Sequence, residues 1–277
     1  MTLAERHAEA LQHALVGAWG ARQGSFWAEL DSDGRRKLLG YVAGGRGSLR
    51  WYSGEHDMMY QEGHTDTHAV ILLAGHVKVT VDKPAGEDSL LVIRYPGQIL
   101  GEDKALRRDL FRAGKSDPDG YVRRNETTVR TVTVQPLEWA LGLAIPSSGL
   151  EMFLMMHPGA WAALATDLRS RLDEAETRIG EKIADRRLAK ALASMIDYEM
   201  ALHEGKRKIK LSLTQRELAS WIGVSKETVE RILHIWRRRE IVETGYRTIT
   251  VLRPDELLRI ANVRSSYDPS QWSLGTA

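Results

Sequence analysis

The chain of 277 residues contains no cysteine. Without thiols it can form no disulfide, and it lacks the thiolate ligands that an iron–sulfur cluster needs. It also has no apolar run approaching the roughly 18 residues of a transmembrane helix, and its first residues do not form a secretory signal. We therefore expect a cytoplasmic protein with no membrane partner.

A strong net charge is also missing, because Lys and Arg exceed Asp and Glu by only two. Any binding to nucleic acid must then come from local basic patches. The composition that is present, 43% hydrophobic and 27% charged, is ordinary for a globular protein, and the length suffices for two domains. The sequence shows no nucleophile elbow, P-loop or dinucleotide fingerprint, so we predict that it is not an enzyme.

A helix-turn-helix pattern begins at Leu213. Its first helix opens at Thr214 with Glu217 three residues later, which is a capping box. Gly223 permits a tight turn, and Ser225 is placed to cap a second helix. That helix has an apolar stripe at the i, i+3, i+4 and i+7 positions, formed by Val229, Ile232, Leu233 and Trp236. The pattern predicts a DNA-reading motif; the alternative is a helical hairpin with a solvated charged face.

Two short strands follow this motif and predict a β-wing. They span 241–242 and 248–251 and are joined through Gly245. Earlier in the chain, from Leu49 to Pro146, alternating runs predict strands at 70–73, 77–81, 90–94 and 127–134. Glycines fall at the expected turns, namely Gly63, Gly75, Gly86 and Gly97. Many short strands at near-regular spacing indicate an all-β roll, so the predicted fold class is α+β.

A long helix is predicted to begin at Pro158. Along it, apolar residues alternate spacings of four and three, as in the seam of a two-helix coiled contact. This seam comprises Trp161, Ala165, Leu168, Leu172, Ala175 and Ile179. We predict that it is a dimer interface; the alternative is that the helix packs on the chain's own β-roll.

The segment from Ser225 to Val229, with Arg231 two residues on, resembles the recognition helix of the CRP/FNR family of bacterial transcription regulators. The runs YQEG, VILLAGHVKVTV and LLVIRYPGQILGE resemble the cyclic-nucleotide-binding domain of the same family. Together the resemblance covers roughly residues 25–255. It implies a homodimer that reads an inverted repeat in double-stranded DNA through the helix Ser225–Arg238, with RNA polymerase as a partner that the resemblance allows.

The resemblance also implies which side chains contact DNA. Lys226, Glu227 and Arg231 would read bases, since Lys and Arg donate to guanine and Glu accepts from cytosine. The other candidates, contacts to phosphate or helix caps, are Thr214, Gln215, Ser225 and Thr228. A half-site similar to TGTGA is the expected target.

The family holds a cyclic nucleotide between a Gly-Glu pair and an Arg-Ser-Ala turn. Gly101 and Glu102 match the first half, but the second half departs, since an Asn-Glu-Thr run stands where Arg-Ser-Ala is expected and an Arg comes one place early. The candidate ligand residues are Gly101, Glu102, Arg124, Asn125 and Thr127. Glu126 would place a carboxylate near the phosphate, and Ala175 and Glu176 replace the residues that contact the base. These departures argue against cAMP, and three alternatives stay open: cAMP held by an altered cassette, another small effector, or no ligand.

We predict no cofactor and no metal site, because the spacing of His56, His64, His68 and His76 fits no standard ligand set. A different class of function, a regulatory roll within a signalling protein, would need a catalytic segment for which no residues remain. The predicted division of the chain is an N-terminal extension (1–24), a β-roll (25–156), a dimerisation helix (157–183), a winged helix (184–256) and a tail (257–277).

Overall fold

The computed structural model describes residues 21–54, 57–82, 88–103, 129–202 and 208–263. The chain divides into two units. The first comprises 1–88 with 92–171, and the second comprises 89–91 with 172–277. Each unit is described by itself.

An antiparallel sheet dominates the first unit. Its strands are β1 (Ser48–Ser53), β2 (His68–Asp82), β3 (Asp88–Arg94), β4 (Ile99–Leu100) and β5 (Thr133–Pro146). They are ordered β1-β5-β2-β3, and β4 pairs with β2. The longest ladder joins β2 to β5, from Thr80 opposite Thr133 to His68 opposite Pro146. The helices are α1 (Phe26–Glu29), α2 (Ser32–Ala43), α3 (Ser147–Met156) and α4 (Pro158–Gly180), of which α4 runs on beyond this unit.

The single long strand β2 replaces two predicted strands, and the predicted turn at Gly75 is wrong. Gly75 lies inside β2 with φ +78°, where the register with β5 shifts. A Cβ at this position would clash with the backbone oxygen of Trp139 and lie 2.9 Å from the Cα of Ala140. A glycine inside a strand can mark a bulge at which two backbones approach closely. Gly75 therefore marks a bulge and not a turn.

The predicted strand 127–134 is also corrected. Residues 127–128 lie outside the described residues, Val129 makes only an isolated bridge to Thr65, and β5 begins at Thr133 and continues to Pro146. Gly63 and Gly97 do have positive φ angles of 82° and 92°, as turn glycines do. Gly86 lies outside the described residues.

Both faces of β2 are buried, which explains its nearly continuous apolar run. Ala69, Ile71 and Leu73 join a core with α1, α2, α3 and the start of α4, whereas Val70 and Leu72 face a second core. The second core also contains Tyr52, Met59, Leu100 and Val134. The roll is therefore filled by side chains on one face of the sheet and covered by helices on the other.

The second unit has a helical part and a small sheet. Its elements are α5 (Ala184–Leu202), β6 (Ile209–Leu211), α6 (Gln215–Ile222), α7 (Lys226–Arg238), β7 (Val242–Gly245), β8 (Thr248–Val251) and α8 (Pro254–Ala261). The antiparallel sheet has the order β6-β8-β7. The predicted α+β class, with an N-terminal β-roll and a C-terminal winged helix-turn-helix, is confirmed. Across the described ranges, no helix is both long and apolar enough to cross a membrane.

Candidate nucleic-acid interface

Helix α6 starts and stops where its local sequence indicates. Thr214 is the N-cap: its Oγ1 accepts from the backbone N–H of Glu217 at 3.1 Å, and the Glu217 carboxylate accepts from the backbone N–H of Thr214 at 2.8 Å. At the other end Gly223 has the left-handed conformation, φ 67° and ψ 45°. This capping box and glycine turn fix the angle at which α7 leaves α6.

Helix α7 has one buried and one exposed face. Ser225 caps it by accepting from the N–H of Thr228 at 3.2 Å. The buried face is the predicted stripe of Val229, Ile232, Leu233 and Trp236. Lys226, Glu227 and Arg231 all lie on the exposed face. The helix thus rests on its apolar side and presents charged side chains on the other.

Two charged residues at the start of α7, Lys226 and Glu227, have partners within the helix or its cap. Lys226 pairs with Glu230 one turn later at 3.0 Å. The pKa of the Glu227 carboxyl is lowered because it accepts a hydrogen bond from its own backbone N–H and another from the Ser225 hydroxyl. Glu227 is therefore ionised and can accept from a base amino group. Thr228, together with Gln215 at the start of α6, is only half-buried.

Two arginines connect elements of this unit. Arg237, in the last turn of α7, donates from Nη1 to the Thr244 Oγ1 of β7 at 3.3 Å. Arg187 of α5 donates from Nη1 to the carbonyl of Ile222, at the end of α6, at 2.8 Å. Each contact depends on how the elements pack, so no local sequence signal marks it.

Gly101 and Glu102, the two predicted ligand residues that the structure describes, both contact other side chains of the chain. Gly101 has φ +71°, and a Cβ there would lie 2.5 Å from Nη1 of Arg130 and 2.6 Å from the Tyr60 hydroxyl. Arg130, only 4% exposed, donates from Nε to both carboxylate oxygens of Asp66 at 2.8 Å, and its guanidinium lies 3.8 Å from the Tyr60 ring centre. Burial raises the pKa of Tyr60 well above its usual value. The presence of glycine at position 101 is thus explained by its positive φ and by the close side chains of Arg130 and Tyr60.

Glu102 has a partner within the chain as well. It accepts from Nη1 of Arg171, on α4, at 2.9 Å. The same guanidinium donates to Asp167 and to the carbonyl of Ile99. The Asp167 side chain is 0% exposed, and burial raises its pKa to about 6 despite Arg171. One guanidinium therefore serves two carboxylates. The other cassette candidates, Arg124, Asn125 and Thr127, lie outside the described residues.

Comparison with known proteins agrees with this architecture. Residues 186–260 match the Crp-like helix-turn-helix domain family. The CRP-like cAMP-activated global transcriptional regulator of Mycobacterium tuberculosis is 23% identical over 206 residues, which are 73% of this chain and 84% of that protein. The transcriptional activator protein Anr of Pseudomonas protegens is 18% identical over 208 residues, which are 74% and 77% of the two chains. A crystal structure of a CRP/FNR-family transcriptional regulator from Thermus thermophilus has a TM-score of 0.56 at 22% identity, covering 78% of this chain and all of that one.

The chain thus resembles the CRP/FNR-type transcription regulators. The suspected family resemblance is therefore confirmed. The relatives are named as regulators and activators of transcription, which supports the prediction that this protein is not an enzyme. In the part of the chain that the structure describes, no three His, Asp or Glu side chains are grouped so as to hold a metal ion.

Helix α4 has two different faces. Ala160, Ala163 and Leu164 are buried in the core of the roll. On another side, Leu168 is 39% and Leu172 53% exposed, and Trp161 and Ala165 are also exposed. Ala175 is half-buried, and the side chain of Ile179 lies outside the description. The predicted seam thus remains uncovered over most of its length in a single chain.

Proposed function

We propose that the chain is a homodimeric, sequence-specific DNA-binding regulator that reads an inverted repeat through α7, with an effector other than cAMP or none. The observation that carries the proposal is the exposed triplet of Lys226, Glu227 and Arg231 on a helix whose opposite face is buried. Such a helix can enter a major groove without losing its own packing.

The chemistry of the triplet fits base recognition. Lys226 and Arg231 can donate to the guanine N7 and O6 acceptors, and ionised Glu227 can accept from the cytosine amino group. The surrounding segment 208–263 carries eleven Lys and Arg against seven Asp and Glu, a surplus of four, whereas the whole chain has a surplus of two. The positive charge that attracts DNA is therefore concentrated in the segment that holds α7.

Dimerisation through α4 follows from its uncovered apolar seam. Trp161, Leu168 and Leu172 would be covered by the same residues of a second copy. A two-fold dimer sets two recognition helices about one DNA turn, or roughly 34 Å, apart, so the operator should be an inverted repeat. Such a regulator acts on the chromosome, in the cytoplasm, where RNA polymerase is a further partner.

The internal ion pairs of the cassette support an effector other than cAMP. A buried cyclic phosphate needs a donor whose charge is not already matched. Arg130 is neutralised by Asp66, and Arg171 by Glu102 and Asp167. Glu102, moreover, already has a charge partner in Arg171, whose Nη1 donates to its Oε1. The relative from M. tuberculosis is named as cAMP-activated, and nucleotide-dependent binding is therefore the competing outcome of the test.

Selection from random double-stranded DNA, followed by fluorescence anisotropy at one fixed salt concentration, tests the proposal. We expect an inverted repeat of G·C-containing half-sites similar to TGTGA, bound tightly without nucleotide. Failure to enrich any sequence would contradict DNA reading by α7. Binding that appears only with cAMP or cGMP would be consistent with DNA reading by α7. It would contradict the expectation that the chain binds tightly without nucleotide.

A further inference from the structure

Helix α3 presents three methionines on one exposed face. Met152, Met155 and Met156 are 50%, 64% and 66% exposed. They occupy the positions i, i+3 and i+4, which are neighbours on a helix surface, with Cβ atoms about 5–6 Å apart. The other face is buried in the core of the roll and comprises Leu150, Phe153 and Leu154. The buried face holds the helix in place, so the three thioethers project from a fixed backbone.

Methionine supplies all the sulfur of this chain, which has eight methionines and no cysteine. In the described part of the chain, Met59 and Met195 are buried, and Met58, between β1 and β2, is 37% exposed. Among the residues that the structure describes, α3 is therefore the place where several exposed thioethers lie together. Exposed methionines that share a helix face offer either an apolar surface or a set of sulfur ligands.

The chemistry of the thioether restricts which ion such a set can bind. Its sulfur is neutral and polarisable, and soft sulfur ligands select Cu(I), whereas carboxylate, carbonyl and water oxygens suit Mg²⁺, Ca²⁺ and Mn²⁺. A methionine side chain has three rotatable bonds, so sulfurs on adjacent turns can turn toward one ion. Three thioethers without a thiolate therefore fit a soft monovalent cation.

The position of the group on α3 also favours a cation. Met155 and Met156 are the last two residues of the helix, where the backbone carbonyls form the negative end of its dipole. Glu151, one turn before Met155, adds a half-buried carboxylate. The imidazole of His157, the next residue in the chain, lies beside Lys37 instead, with its Nδ1 3.5 Å from Nζ. The ligands that this face offers are therefore the sulfurs.

We propose that Met152, Met155 and Met156 form a three-sulfur site for Cu(I), for which Ag(I) is a redox-stable substitute. The site is independent of the proposed function, because it uses no residue of α7 and no contact with DNA. It gives a chain without cysteine a means of binding a soft metal ion on the surface of the roll.

Anaerobic competition with a chromophoric Cu(I) chelator, and calorimetric titration with Ag(I), test the site in the full chain. The native chain is compared with a triple variant that carries Met152→Leu, Met155→Leu and Met156→Leu. Met58→Leu is the control, because it removes an exposed thioether elsewhere. Leucine keeps the apolar character and approximate volume of methionine, so the triple variant separates sulfur ligation from hydrophobic contact. Circular dichroism checks that each variant is folded.

We expect the native chain and Met58→Leu to bind one ion per chain, and the triple variant to lose at least about tenfold in affinity. The affinity should be the same at about pH 5.5 and pH 8, because a thioether takes up no proton, whereas an imidazole ligand competes with protons in this range. X-ray absorption of the Cu(I)-bound chain should show sulfur ligands.

Equal binding by the native chain and the triple variant, including no binding by either, would overturn the inference, since the methionines would then form an apolar surface only. An equal loss in Met58→Leu would overturn it as well, because any exposed thioether would then suffice. So would an absorption spectrum dominated by nitrogen or oxygen, or an affinity that falls at the lower pH.

Discussion

At the scale of single residues, the guanidinium of Arg171 joins two carboxylates of the roll. It holds Glu102 at one side and the fully buried Asp167 at the other, and one oxygen of Asp167 has no hydrogen-bond partner. Burial is the main cause of the raised pKa of Asp167, because it penalises the charged carboxylate. Glu102 adds to this effect by repulsion, whereas Arg171 and Arg94 oppose it.

Asp167 makes stability depend on pH. Its pKa is about 6 in the fold against a usual 3.8, so the folded chain holds a proton that the unfolded chain releases, and stability falls as pH rises through this window. Asp167→Asn cannot ionise but keeps an oxygen for Arg171. Its free energy of unfolding relative to the native chain should rise by roughly 1–2 kcal/mol between about pH 5 and pH 8. Urea denaturation at both pH values measures this, with Asp173→Asn, an exposed position on α4, as the control; a native-like pH profile for Asp167→Asn would refute it.

Arg231→Ala tests base reading by α7. The side chain is exposed, so its removal should leave the fold intact. If it reads one guanine, the variant loses about 1–3 kcal/mol on the operator and no longer distinguishes the four base pairs at that position. Anisotropy against operators substituted at each position measures this, and the unaffected positions are the internal control. A uniform loss across all operators would instead assign Arg231 to the phosphate backbone.

At the scale of elements, β2 carries the roll, because it pairs with β5 and β4 and buries both of its faces. Its continuity depends on the bulge at Gly75, where the backbone of Trp139 and Ala140 fills the space that a side chain would take. Gly75 is therefore restricted both by its positive φ and by the nearby backbone of β5. A comparison with Gly54 distinguishes these two effects. Gly54 has nearly the same φ, +80°, with open space around it.

Gly75→Ala and Gly54→Ala should therefore differ. Both place alanine in the left-handed region, which costs about 1–2 kcal/mol. Gly75→Ala must also move the β5 backbone, and we expect it to lose at least about 2 kcal/mol more than Gly54→Ala, or to fail to fold. Thermal and urea unfolding measure the stability of both variants. Equal losses in the free energy of unfolding would show that the β5 backbone moves at no energetic cost and would contradict the prediction.

The elements of the winged helix could be predicted because their signals are local. Thr214 and Glu217 cap α6 within four residues, Gly223 ends it, and Gly245 marks the wing. The buried ion pairs of the roll could not be predicted from local sequence. Arg130 and Asp66 are 64 residues apart and Arg171 and Glu102 are 69 apart, so only the folded sheet and α4 bring them together. The turn predicted at Gly75 is wrong for the same reason, because the need for glycine there arises from the backbone of Trp139, on another strand.

At the scale of the whole molecule, the exposed seam of α4 should determine the oligomeric state. Leu168→Glu places two like charges across the predicted two-fold contact and removes apolar area from it. We expect the native chain to sediment as a dimer and the variant as a monomer at the same concentration. Thr166→Glu, an exposed position beside the seam on α4, is the control and should stay dimeric.

The same variant links assembly to DNA recognition. A monomer contacts one half-site at a time, so Leu168→Glu should lose at least about tenfold in affinity for the inverted repeat, while its affinity for a duplex with one half-site stays native. A native chain that sediments as a monomer would contradict the dimer, and so would a variant that keeps native affinity for the inverted repeat.

The ladder between β2 and β5 has a consequence for how the chain is made. Its paired residues, from Thr80 with Thr133 to His68 with Pro146, are roughly 50 to 80 positions apart. A ribosome that adds ~5–20 residues per second needs roughly 3 to 15 s to deliver β5 after β2 has emerged. During that interval β2, which is apolar on both sides, can pair with β3 and β4 but not with β5. The edge that β5 will cover is exposed to aggregation and to capture by chaperones.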